Sequence, residues 1–115
     1  MKRRAIIRSA AREDILRQFR YYLVEEDNPE LADRFLTAAE VTVDKVCASP
    51  AMGAPKHFPN KALRGLRSWP IVGFEDIRIY YLASAETLLI VRVLHGKRDL
   101  LRMLRRERLE KEEGL

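Results

Sequence analysis

The chain has 115 residues, 47% of them hydrophobic and 34% charged, with no low-complexity run, internal repeat or linker-like stretch. That length suits one domain around one modest core, residues 1–115, and the composition excludes a disordered chain or a solenoid. Against 17 Asp and Glu there are 22 Lys and Arg, so the net charge of +5 favours acidic partners in general without choosing among nucleic acid, an acidic protein surface and an anionic membrane.

The first residues, Met1-Lys2-Arg3-Arg4-Ala5-Ile6-Ile7-Arg8, are basic but lack the apolar run of a signal peptide or membrane span, so no membrane partner and a cytoplasmic location are expected. Ile6 and Ile7 between basic residues suit a short edge strand over Arg4 to Arg8. Ser9 offers an N-cap. From Ala10 to about Glu26, Ala11, Ile15, Phe19, Tyr22 and Leu23 recur at helical spacing and predict an amphipathic helix. Asn28 is a second N-cap, with Pro29 at the first helical position and Glu30 complementing the dipole. Leu31, Phe35, Ala38, Ala39, Thr42 and Val46 form the next stripe. The short break at Asp27-Asn28 makes the two helices an antiparallel hairpin. Cys47, the lone cysteine, cannot form an internal disulfide and reads as a small buried hydrophobe.

Ser49 to Lys61 collects Pro50, Gly53, Pro55, Pro59 and Asn60, the marks of a long irregular connection. The period then changes to two, giving strands at about Leu63–Ser68, Phe74–Leu82 and Thr87–His95, with turns around Pro70–Gly73 and Ser84–Glu86. Connections this short require antiparallel neighbours. From Arg98 the pattern is helical again to about Lys111, with Leu100, Leu101 and Leu104 on one side and a Glu-rich tail that should fray. The fold class is therefore α+β: an N-terminal strand, a helical hairpin on one face of a twisted, mainly antiparallel sheet of about four strands, and a C-terminal helix.

The segment Leu63-Arg64-Gly65-Leu66-Arg67-Ser68-Trp69-Pro70-Ile71-Val72-Gly73-Phe74, answered by Ile90-Val91-Arg92-Val93-Leu94-His95-Gly96-Lys97-Arg98-Asp99-Leu100, resembles the ParE branch of the RelE/ParE toxins. These are the toxic halves of bacterial toxin–antitoxin pairs. Asn28-Pro29-Glu30 and Ser49-Pro50-Ala51-Met52-Gly53 match in order, so the resemblance covers nearly the whole chain. It implies a type II toxin that inhibits DNA gyrase by binding, is neutralised by a ParD-like antitoxin, and leaves room for a higher-order toxin–antitoxin assembly. It also implies that the first strand pairs back into the sheet and that the other sheet face is open. No cofactor is implied.

Several members of the wider family cut messenger RNA on the ribosome, so a RelE-like endoribonuclease is the alternative. RNA cleavage needs a base, an acid and cations to hold the developing phosphorane charge; Arg78, Arg92 and His95, with Tyr80 and Lys97 nearby, are the candidates. Yet no acid lies on Leu63–Ser68 to orient His95, which reads rather as part of the strand-to-helix turn or as a partner contact than as a catalytic acid or base. If the last hairpin is centred on Ala85, Arg78 and Arg92 face each other beside Tyr80, and like charges opposite one another call for a partner, unless both splay into solvent or pair with Asp76.

For an antitoxin, two surfaces are expected: Leu16, Tyr21 and Val24, which extend the first helix's apolar surface, and the sheet face around Arg78, Tyr80 and Arg92. For the target, Arg98, Arg102 and Arg105 fall on one helix face as a basic stripe, which can equally be a solvated face. Trp69 could stack on a base or pack beside Pro70. His57 reads as solvated. With one cysteine and two separated histidines no metal cluster is expected, and the lack of a helix-turn-helix argues against sequence-specific DNA binding.

Overall fold

A computed structural model of the chain describes residues 2–58 and 61–96, together with Asp99 and Arg102. The expected C-terminal helix, including Lys97, Arg98 and Arg105, lies outside the described residues apart from those two positions. The elements run β1 (Arg4–Ile7), α1 (Ser9–Arg20), a π-helical turn (Tyr21–Glu25), α2 (Pro29–Ala48), β2 (Ala54–Pro55), β3 (Arg67–Ile71), β4 (Phe74–Ala83) and β5 (Thr87–His95). This is the expected α+β architecture. The sheet is mixed and has five strands in the order β1-β5-β4-β3-β2, with β1 parallel to β5 and every other pair antiparallel. The added strand is β2, two residues long inside the Pro-rich connection.

Local signals explain the hairpin. Asn28 accepts from the Leu31 N–H at 3.0 Å and Pro29 occupies the first turn, so α2 starts where the sequence places it. Its inner face buries Ala32, Phe35, Ala39, Thr42, Val46 and Cys47. Thr42 Oγ1 donates to the Ala38 carbonyl at 2.7 Å and accepts from the Val72 N–H at 3.1 Å, tying α2 to the β3–β4 turn. Tyr22, Phe35 and Phe74 meet as a ring cluster with centroids 5.4–5.7 Å apart. Below the helices, Ile71, Ile77, Ile79, Tyr81, Leu88 and Ile90 complete the main core.

Five expectations change. Arg8 is the N-cap of α1 and Ser9 its first residue, without a side-chain cap. Leu23 is exposed, not in the stripe, because the π-helical turn takes more residues per turn and rotates it outward. The third strand begins at Arg67, since Lys61–Leu63 closes a 3-10 turn and Gly65 has a φ of 85°. Trp69 and Pro70 thus lie in β3, with Trp69 packed on the main core; Pro70 is tolerated because β2 pairs only Arg67 and Ser68. Finally, the second sheet face is covered where Leu63 and Leu66, with Phe58 beside them, pack on Tyr80, Val91 and Leu94.

Candidate functional site

The β4–β5 pairing decides where the candidate residues sit. Tyr81 pairs Ile90, but Tyr80 pairs Arg92 and Arg78 pairs Leu94, so β5 carries one extra residue at Val91. Arg78 and Arg92 are therefore not opposite one another, and the expected like-charge clash does not arise. Arg78 lies beside β3 and donates from Nε and Nη2 to Ser68 Oγ at 3.1 and 3.0 Å. Arg92 turns the other way. Its Nε and Nη2 grip Asp14 Oδ2 and Oδ1 at 2.7 and 2.9 Å, a two-pronged contact from β5 to α1.

Asp14 also accepts the Val93 N–H at 2.9 Å, and its side chain is only 2% exposed. The reason is the end of β1. Arg8 donates to the Ile90 carbonyl and the chain then turns into α1, leaving the next β5 donors without a strand. Asp14 takes Val93 and Asp99 Oδ2 takes the His95 N–H at 3.2 Å, so two carboxylates close the edge that β1 abandons. Sequence reasoning missed Asp14. The available signal was a carboxylate at a stripe position, three residues after Ala11 and one before Ile15.

Next to this clamp is a cleft of about 560 Å³, its polar walls formed by Arg17, Gln18, Arg92, His95, Asp99 and Arg102. His95 and Arg102 are exposed here. Arg78 and Tyr80 do not line it. Tyr80 is 3% exposed, and burial pushes its phenol above the ordinary value against the opposing effect of Arg78. The ribonuclease candidates are thus divided between a covered sheet face and an edge cleft. Tyr80 is also unavailable as an exposed antitoxin contact.

Leu16, Tyr21 and Val24 are exposed, Val24 at 67%, and Leu23 joins them on the outer side of α1 and the π-helical turn. A hydrogen bond to Glu26 and the charge of that carboxylate raise the Tyr21 phenol above its ordinary value. His57 is exposed in the loop. Cys47 is buried, and that burial pushes its thiol up. Among the described residues no three His, Cys, Asp or Glu could hold a metal ion, and no helix is long and apolar enough to cross a membrane.

Residues 5–100 match the family model described as ParE toxin of type II toxin-antitoxin system, parDE. Among solved structures, a chain of the chromosomal ParDE TA system from P. aeruginosa is similar in fold, with a TM-score of 0.63 at 14% identity, covering 83% of this chain and 97% of that one. No curated protein matches.

Proposed function

Because the chain belongs to the ParE toxin family of type II toxin–antitoxin systems, we propose that it inhibits DNA gyrase by binding and is neutralised by a ParD-like antitoxin. The observation that carries binding over catalysis is the dispersal of the candidate groups: Arg78 is on Ser68, Tyr80 is covered, Arg92 is on Asp14, and His95 stands at the cleft mouth. General acid–base cleavage of RNA needs these groups around one phosphate.

The antitoxin surface is the ridge of Leu16, Tyr21 and Val24, which an amphipathic helix would cover. Arg78 remains a separate polar candidate, held by Ser68 on the Tyr80 side of the sheet. Arg92 serves the fold through Asp14, so its charge reversal would disturb the toxin itself. For the target we retain Arg98, Arg102 and Arg105, tested by replacing all three with Gln and following supercoiling over a salt series. Inhibition equal to wild type at every salt would retire the stripe.

Inducing the chain in cells without antitoxin separates the two readings. Gyrase poisoning gives filamentation, DNA breaks and the DNA-damage response. Arrest of translation first, with cut messages on ribosomes, would restore the ribonuclease reading.

A further inference from the structure

We propose that the outer edge of β1 is a strand-addition site for an extended acidic segment of a partner protein. Arg4 and Arg8 donate their backbone N–H groups to Glu86 and Ile90, so by alternation Ala5 and Ile7 direct theirs away from β5. Arg3 N–H is taken by the Cys47 carbonyl; no acceptor among the described residues takes Ala5 or Ile7. The other edges are closed. At the far side β2 is two residues long and ends in Pro55, while β5 beyond Ile90 is sealed by Asp14 and Asp99.

Side chains specify the occupant. Ala5 and Ile7 pack on the main core, which turns Arg4, Ile6 and Arg8 to the opposite face. Arg4 and Arg8 are exposed and have no ion-pair partner among the described residues, and between them Ile6 is 41% exposed. A neighbouring strand that presents carboxylate, apolar side chain and carboxylate at alternate residues would meet all three. A second copy of the chain would not. Antiparallel pairing of two β1 strands about Ile6 sets Arg4 against Arg8 on both sides, and like charges opposite one another oppose association. Duplex DNA would satisfy the arginines but leave the two N–H groups and Ile6 unused.

This proposal does not depend on the gyrase or antitoxin readings, and its test uses neither protein. The probe is a capped peptide with Glu, Ile and Glu at alternate positions separated by Thr, titrated into the isotope-labelled full chain. Ala5 and Ile7 amides should shift and gain protection from hydrogen exchange, and a Lys-for-Glu peptide should bind about tenfold more weakly or worse. Ala5→Pro removes one outward donor and keeps the bonds to β5; it should weaken binding to a similar degree. Should that variant lose its dispersed spectrum, the double change Arg4→Glu with Arg8→Glu decides by reversing the preference to the Lys peptide. Absence of β1 shifts at saturating peptide, equal binding of the Glu and Lys peptides, or self-association through β1 would overturn the proposal. A DNA duplex that moves the arginines without the Ala5 and Ile7 amides would overturn it too.

Discussion

Asp14 is the residue on which most of the α1–β5 junction depends, because one carboxylate serves both Arg92 and the Val93 N–H. In Asp14→Ala a guanidinium that is 21% exposed loses its two-pronged contact with Asp14, and the Val93 N–H loses its acceptor. Removing one partner of such a pair costs roughly 3 kcal/mol. Urea unfolding should show a lower midpoint with an unchanged slope; a midpoint within error of wild type would mean the clamp holds nothing. Asp14→Asn keeps an acceptor for Val93 and should lose less. Cys47 offers a second check at this scale. Burial raises its thiol, so alkylation of the native protein should be slow and should accelerate with denaturant as the core opens. Rapid labelling of the folded chain would place Cys47 outside the core.

Among the elements, the connection between α2 and β3 is fixed by more than its prolines. Tyr81 Oη donates to the Pro50 carbonyl at 2.5 Å, and Arg67 Nη1 donates to the Gly53 carbonyl at 2.7 Å. A Cβ on Gly53 would run into the Tyr81 hydroxyl, so Gly53→Ala should cost about 1–3 kcal/mol by overpacking. Thermal unfolding measures it, and no change would show that the loop gives way freely. The ridge on α1 and the π-helical turn behaves differently. Leu16→Glu with Val24→Glu should leave stability within about 0.5 kcal/mol, since both positions are exposed, yet weaken a ParD-like antitoxin by about tenfold or more. Unaltered affinity in the folded double variant would move the antitoxin site elsewhere.

These elements also show what the sequence could reveal. Asn28-Pro29 and the stripe of α2 were legible because caps and helical periods are local chemistry. The turn at Ser84–Glu86 falls where the sequence places it, but a single extra residue at Val91 moved Arg78 and Arg92 apart, and no residue type announces a bulge. β3 was placed four residues early because Leu63 and Leu66 look like strand residues, although they are the lid of the second sheet face. Asp14 was hidden because its partner is 78 residues away. Of the candidate site, Leu16, Tyr21 and Val24 were legible as an excess of apolar surface, which periodicity measures directly.

For the whole molecule, the layered design leaves one helix face outward, an edge cleft with Arg17, Arg92 and Arg102, and no convergence of Arg78, Tyr80 and His95. On the proposed reading the protein acts through the surfaces it presents, and its net charge of +5 suits an acidic protein surface or DNA phosphates. The most direct measurement is a gyrase supercoiling assay with purified wild type and His95→Ala, each with and without its antitoxin. Binding without proton transfer predicts that both inhibit supercoiling equally, trap cleaved DNA with the enzyme, and are relieved by antitoxin. Supercoiling untouched by wild type, with ribosome-bound messenger RNA cut by wild type and spared by His95→Ala, would contradict it.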